Sequence, residues 1–329
     1  MTPLERALVE TIKTDGPISV EAFMAACNDF YYATRDPLGA RGDFTTAPEI
    51  SQMYGEMIGA ALADSWARAG RPNPVRYVEL GPGRGTLASD ALRVMGAAGL
   101  APSAVEFVET SPVLRRMQSA AVPAAVHHDS IGGLNEGDGP LLVVASEFFD
   151  ALPIQQWVDG VERRVEWIGG HLCFDRDGEV VERAPAREQA MGELARILVA
   201  RGGAAILIDY GHSLESARGD TLQAVAAHRH ALPLEKPGEQ DLTAHVNFAA
   251  LARAARDAGA QVSRVASQGS WLETLGIGAR AVALAARNPA QTDAIAIARR
   301  RLCDEKEMGT LFRVMAVAAP DWPIPAGLE

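Results

Sequence analysis

Residues Tyr77-Val78-Glu79-Leu80-Gly81-Pro82-Gly83-Arg84-Gly85-Thr86 read as a strand running into a glycine turn and then, from Leu87, into a helix. Three glycines at alternate positions let a backbone approach a ligand where a Cβ would collide. A dinucleotide fingerprint reads G-x-G-x-x-G; here Gly85 comes one position early and Thr86 stands where the third glycine would be. Glu79 precedes the turn, where its charge repels a pyrophosphate and attracts an ammonium. Charge therefore favours S-adenosylmethionine (SAM), whose methionyl part carries an ammonium, over a nicotinamide or flavin.

The next strand ends in Phe107-Val108-Glu109, and an acid there suits both ribose hydroxyls of an adenosine. After the third strand, Asp129 and Ser130 are placed to meet the adenine amino group. Taken singly, each acid also reads as a solvated loop or helix-cap carboxylate; with the glycine loop they form a set. The expected cofactor contacts here are Glu79, Gly81, Pro82, Gly83, Gly85, Thr86, Glu109, Asp129 and Ser130.

Outward from this unit, short apolar strands alternate with helices: Val75 to Leu80, Leu87 to Met95, Ala104 to Val108, Val113 to Ala121, Ala124 to His128 and Leu141 to Ala145. This rhythm predicts an α/β fold, a doubly wound Rossmann-like sheet. Upstream, Leu4 to Ile12 and Val20 to Cys27 have helical spacing, and a long helical pattern from Ile50 to Ala69 follows Pro48-Glu49. Residues 1–70 are thus expected to form a helical cap with a cofactor-covering loop, and 71–329 the cofactor domain. Asp159-Gly160 and Gly169-Gly170 predict hairpin turns in an insertion at about 153–186, and a helical insertion spans about 268–309. A helix from Arg187 to Ala200 leads to a strand at Ala204 to Ile208. Gly211 to Gln240 reads as a long irregular loop, a possible lid. Helix Phe248 to Ala258, strand Gln261 to Ala266 and strand Leu311 to Val317 complete the chain.

Composition narrows the function. The 329 residues are 48% hydrophobic and 22% charged, with no apolar run long enough to cross a bilayer. A net charge of -11 and the lack of a basic stripe argue against nucleic acid as a partner and suit a cationic substrate. Cys27, Cys173 and Cys303 have no metal spacing, and His228 with His230 lack a third ligand, so no metal is expected. The N-terminus has neither an apolar h-region nor an arginine-rich transit pattern, and arginine far outnumbers lysine. A bacterial cytoplasmic location is the expectation.

Several segments, in order along the chain, resemble the MidA-like family of SAM-dependent methyltransferases. They are Gly42-Asp43-Phe44-Thr45-Thr46-Ala47-Pro48-Glu49-Ile50-Ser51, Glu79 to Leu87, Glu147-Phe148-Phe149-Asp150-Ala151-Leu152-Pro153, Asp209-Tyr210-Gly211-His212, Asp241-Leu242-Thr243-Ala244-His245-Val246 and Met308-Gly309-Thr310-Leu311-Phe312. Ser146, Ala47 and Asn247 depart from the residues common there, namely Asn, Ser and Asp. The resemblance implies methylation of a protein arginine to symmetric dimethylarginine, on a core subunit of respiratory complex I during its assembly.

Glu147 and Asp150, after the fourth strand, are then the candidate catalytic carboxylates, able to grip two guanidinium nitrogens and orient the third. A helix cap and a structural salt bridge are the plainer readings of the same pair. Ser146 borders the expected methyl position and is a further expected cofactor contact. Gly42, Asp43, Thr45, Thr46 and Glu49 form a candidate loop over cofactor or substrate, although Thr46 could simply cap the following helix. Phe148 and Phe149 read as core or adenine wall, and Asp209 as pocket wall or loop anchor. A non-catalytic SAM-binding assembly scaffold and a small-molecule methyltransferase are the alternative functions.

Overall fold

The computed structural model describes residues 1–36, 39, 42, 43, 45–214 and 218–329. Phe44 of the family-like segment, and residues 215–217 of the expected irregular loop, lie outside the described residues. At the N-terminus α1 (Pro3–Asp15) begins on a capping box, in which the Thr2 hydroxyl oxygen accepts the Glu5 N–H and the Glu5 carboxylate accepts the Thr2 N–H. β1 (Ile18–Ser19) and α2 (Val20–Thr34) follow. The single helix expected from Ile50 to Ala69 is corrected: α3 (Ala47–Ile50) stops at Ser51, and α4 (Gln52–Arg68) starts there. Ser51 has extended backbone and its hydroxyl accepts the Met53 N–H at 3.2 Å, so a new cap interrupts an otherwise continuous apolar pattern.

β2 (Arg76–Leu80) runs through the glycine turn into α5 (Thr86–Ala97). α4 and α5 pack almost backbone to backbone. A Cβ on Gly55 would sit 2.8 Å from the Asp90 Cβ, and one on Gly59 would sit 2.6 Å from the Ala91 carbonyl oxygen. β3 (Ala104–Val108), α6 (Pro112–Ala121), β4 (Ala125–His128) and β5 (Leu141–Ser146) continue the alternation. The chain then leaves the sheet for β6 (Gln155–Val158), β7 (Val161–Glu162), β8 (Arg164–Ile168), β9 (His171–Phe174) and β10 (Val180–Arg183). Both turns predicted by glycine dipeptides are present, with positive φ at Asp159, Gly160, Gly169 and Gly170.

α7 (Pro185–Arg201) returns the chain to β11 (Gly203–His212). Next comes the main correction to the sequence reading. Gly211 to Gln240 is not irregular throughout: its described residues include the end of β11, β12 (Gln223–Ala226) and β13 (Arg229–Ala231), and β12 also pairs with β14 (Asp241–Thr243). The β12–β13 turn is made by Ala227 and His228, both at positive φ. Neither residue signals such a turn, so the hairpin was invisible to turn chemistry.

β15 (Val246–Asn247), α8 (Phe248–Asp257), β16 (Gln261–Val262) and β17 (Ala266–Ser267) come next. The strand expected over Gln261 to Ala266 is thus two short pieces, both against the last strand. Between them the Ser263 hydroxyl accepts the Ala316 N–H at 2.8 Å, replacing a ladder carbonyl. The helical insertion consists of α9 (Gln268–Thr274), α10 (Ile277–Arg287), α11 (Thr292–Cys303) and α12 (Met308–Leu311), before β18 (Phe312–Ala318). No helix among the described residues is long and apolar enough to cross a membrane.

The main sheet has the order β16-β18-β11-β5-β2-β3-β4; β4, β3, β2, β5 and β11 are parallel, and β18 is antiparallel to β11. Its strands are apolar at successive positions because both faces are covered. Tyr77, Leu142, Val144 and Ile206 belong to a core with α4 and α5, whereas Val78, Leu141, Val143 and Leu207 belong to a core with α7 and α8. A third cluster joins Phe23 and Met24 of α2 to Val165, Leu172, Ala224 and Leu242, and β1 pairs with β8. The N-terminal helices and the inserted strands therefore share a core. The strand order reverses between β2 and β5, and ligands of open α/β sheets bind at the carboxyl ends of strands at such a reversal.

Candidate active site

At that reversal lies a cavity of about 740 Å3, within the ~300–1,000 Å3 typical of small-molecule sites. Its rim begins with the glycine turn. Gly81, Gly83 and Gly85 have φ of 62°, 55° and 82°, a region L side chains rarely adopt. A Cβ on Gly81 would come 3.1 Å from the Phe148 ring. Gly81, Pro82, Gly83 and Thr86 line the cavity; Gly85 instead starts α5 in left-handed geometry, against Ala121 and Gln118.

Glu79 also lines the cavity and is otherwise buried. It accepts the Tyr77 hydroxyl hydrogen at 3.1 Å and an N–H from Ala88 in the first turn of α5. Burial pushes its pKa up to about 8, an environment that a bound cation would reverse. Glu109 is held by the Ser111 N–H at 2.7 Å and by the Gln118 side-chain amide at 3.0 Å. The same amide donates to the Gly83 carbonyl at 2.7 Å, so Gln118, fully buried on α6, ties the glycine turn to Glu109. No sequence signal marked it. Asp129 and Ser130 line the cavity too, the Asp129 side chain 88% exposed and ion-paired to Arg115 at 2.6 Å.

The loop before α4 divides. Thr46 and Glu49 line the cavity, whereas Gly42, Asp43 and Thr45 lie off its lining. Glu49 accepts the Thr86 hydroxyl hydrogen at 2.6 Å and meets Arg84 at 3.4 Å, fastening this segment to the glycine turn. Asp43 is a fastener as well: its carboxylate accepts the Tyr31 hydroxyl and the Ala227 N–H, both at 2.7 Å. Thr46 precedes α3, but its side chain makes no cap hydrogen bond.

That cap comes from afar. Glu147 Oε1 accepts the Ala47 N–H at 3.1 Å, so a residue at the end of β5 serves the first turn of α3. Glu147 has φ +55°, a strained conformation for a side chain of this kind, and its N–H donates to Ile208 at 2.9 Å. It is half-buried and opens on the cavity. Burial first, then the Asp150 charge, raises its pKa to about 8. Asp150 is buried; burial raises it to about 6 against the pull of Arg187. Ser146 shares a 2.9 Å hydrogen bond with the buried Tyr54 hydroxyl.

Two further buried groups hold this turn. Asp209, 1% exposed, accepts the N–H groups of Phe149 at 2.9 Å and Asp150 at 3.3 Å, and of its own neighbour Tyr210. It is a loop anchor. Arg187 donates to the carbonyls of Asp150, Leu152, Ala244 and His245. As one of many arginines, Arg187 gave no sequence signal of its role. Phe149 is core, and Phe148 lines the cavity beside Gly81. His230 lines the cavity and His228 sits in the β12–β13 turn; among the described residues no group of metal-ligating side chains is present.

The site fits a cofactor with an adenosine, an ammonium and a sulfonium. A turn that a Cβ would obstruct adjoins the buried carboxylates of Glu79 and Glu109, both of which line the cavity. Comparison with known proteins agrees. The sequence profile of a family described as S-adenosyl-L-methionine-dependent methyltransferase matches residues 57–171 and 164–266. Among curated proteins the chain is similar to the Drosophila melanogaster "Protein arginine methyltransferase NDUFAF7 homolog, mitochondrial", at 33% identity over 95% of this chain and 84% of that one. Human "Protein arginine methyltransferase NDUFAF7, mitochondrial" is 30% identical over 96% and 83%. Among solved structures, a Burkholderia thailandensis protein bound to S-adenosyl-homocysteine superposes with a TM-score of 0.84. It is 26% identical, over 99% of this chain and 92% of that one.

Proposed function

The chain belongs to the family of S-adenosyl-L-methionine-dependent methyltransferases, and from that premise we propose that it methylates the guanidino group of an arginine in a protein substrate. The observation that carries this reading is the charge of the cavity. Glu147, Asp150 and Asp241 line it, and among the described residues no basic side chain hydrogen-bonds their carboxylate oxygens, Arg187 reaching Asp150 only at its main-chain carbonyl. A guanidinium, planar and cationic up to a pKa above about 12, is the protein side chain that such a wall suits. Relatives of 30–33% identity are named protein arginine methyltransferases.

SAM supplies an electrophilic methyl group on a sulfonium, and the residues placed to hold it are Glu79, Gly81, Gly83, Glu109, Asp129 and Ser130. Glu147 and Asp150 grip two nitrogens of the guanidinium, leave the third facing the methyl position, and localise electron density there. As this nitrogen's bond to the methyl carbon forms and the carbon–sulfur bond breaks, leaving S-adenosylhomocysteine, the cation sheds one proton to the Glu147 oxygen that does not hold Ala47, on an acid whose pKa burial raises to about 8. Asp209 and Arg187 keep both acids in place. The resemblance to the MidA-like family extends the proposal to symmetric dimethylation of a core subunit of respiratory complex I.

The test is incubation with methyl-labelled SAM and separated, unassembled complex I subunits. Label on one core subunit supports the extended reading; label confined to small molecules in a cell extract overturns the protein substrate.

A further inference from the structure

Part of the cavity wall comes from outside the main sheet: Asn28 and Tyr32 of α2, Gln223 and Val225 of β12, His230 of β13 and Asp241 of β14. Asp241 stands out among them. It is 5% exposed, and the Tyr32 hydroxyl donates to its Oδ1 at 2.7 Å. Its other carboxylate oxygen receives no hydrogen bond from a described residue, and the side chain lines the cavity, so that oxygen is open to a ligand there.

The charges around Asp241 are of its own sign: Asp150 from the β5 turn and Asp43 from the loop before α3 act on it, and it acts on Glu147. Arg187, the buried guanidinium of this region, gives its N–H groups to main-chain carbonyls. Removing one partner from a buried charge is costly, so a carboxylate left this way beside a cavity is complemented by a ligand that brings charge and N–H donors together.

We infer that Asp241, oriented by Tyr32, is a substrate-binding carboxylate of this site and selects a cationic guanidino side chain over a neutral side chain of the same shape. The inference rests on the arginine reading above and adds a specificity-determining residue on the wall opposite in origin to the cofactor turn. Asn28 supports that wall, its amide donating to the carbonyls of Ala151 and Leu242, both at 2.8 Å. Asp241 is thereby set in a frame shared by α2, β14 and the turn that carries Asp150.

The experiment is calorimetric titration of the protein loaded with S-adenosylhomocysteine. The probes are a glycine-alanine peptide with one arginine and the same peptide with citrulline, which keeps the shape and loses the charge. Wild type is expected to prefer the arginine peptide. Asp241→Asn, whose amide oxygen still accepts from Tyr32, should bind that peptide at least about tenfold more weakly. It should keep its citrulline affinity, its S-adenosylhomocysteine affinity and its Tm. Tyr32→Phe, which guards against a variant that fails to fold, should weaken arginine binding by about threefold. Undiminished arginine preference in the variants overturns the inference and leaves the arginine reading standing. Wild-type protein that binds both peptides alike, or neither, overturns the arginine reading and this inference with it.

Discussion

The Glu147 carboxylate accepts the backbone N–H of Ala47 at 3.1 Å, so the residue proposed to take the proton also braces the start of α3. One oxygen serves structure, and the side chain still opens on the cavity. Glu147→Gln keeps an acceptor for Ala47 while removing the charge. Methyl transfer is expected to fall by about 10²-fold or more with Tm unchanged or raised, since burial disfavours the charge. Glu147→Ala removes both functions and should additionally cost about 1 kcal/mol of stability. Rate measurements with thermal unfolding on the two variants separate these roles.

Asp209 predicts a different pattern. Its carboxylate satisfies the buried N–H groups of Phe149, Asp150 and Tyr210. Asp209→Ala leaves them without an acceptor and is expected to lower stability by about 3 kcal/mol. Because Glu79 and Glu109 are untouched, SAM affinity measured by calorimetry should change little while turnover drops. Equal losses of both would contradict an anchoring role confined to the Glu147–Asp150 turn.

Gly81 joins conformation to cofactor access. At φ 62°, with the Phe148 ring 3.1 Å from where a Cβ would sit, Gly81→Ala strains the turn and presses on a cavity-lining ring. Left-handed geometry costs an alanine about 1–2 kcal/mol. SAM binding should weaken by about tenfold, read by calorimetry, with the sheet intact by circular dichroism.

Stability should depend on pH in a defined sense. Burial raises Glu79 and Glu147 to about 8, Asp241 to about 7 and Asp150 to about 6. In the unfolded chain such acids titrate near 4, so between these limits the folded protein binds more protons than the unfolded one. Stability therefore falls as pH rises through this range. His127 and His212, whose pKa values are lowered by burial, act in the opposite sense only below about 6.5. From pH 6.5 to 8 the ligand-free protein is expected to lose about 4 kcal/mol from these four acids, and Asp209, which burial also raises, adds in the same sense. Saturating SAM, which places positive charge beside these acids, should flatten the slope. Thermal unfolding across that range, with and without SAM, checks both.

The sequence was most informative where a single local unit did the work. Strand, glycine turn and helix around Gly81 and the dipeptide turns at Asp159-Gly160 and Gly169-Gly170 each carry their own signal, and each is present in the fold. The break at Ser51 and the hairpin at Ala227-His228 were missed because a serine inside an apolar helical pattern, and two ordinary residues at positive φ, announce nothing. The supports of the site were hidden for a further reason. Asp209 meets Phe149 across 60 positions, Tyr32 meets Asp241 across 209, and Gln118 reaches back 35 to Gly83. Spacing along a chain does not encode such pairs; the fold brings them together.

The measurement that tests the central claim most directly identifies the methylated atom. Wild-type protein and Glu147→Gln are incubated with methyl-labelled SAM and a separated substrate fraction, and the product is hydrolysed to amino acids. Labelled N-methylarginine from wild type, reduced about 10²-fold or more in Glu147→Gln, is the predicted result. Label on oxygen, on another amino acid or on a small molecule, or equal yields from the two proteins, would contradict it.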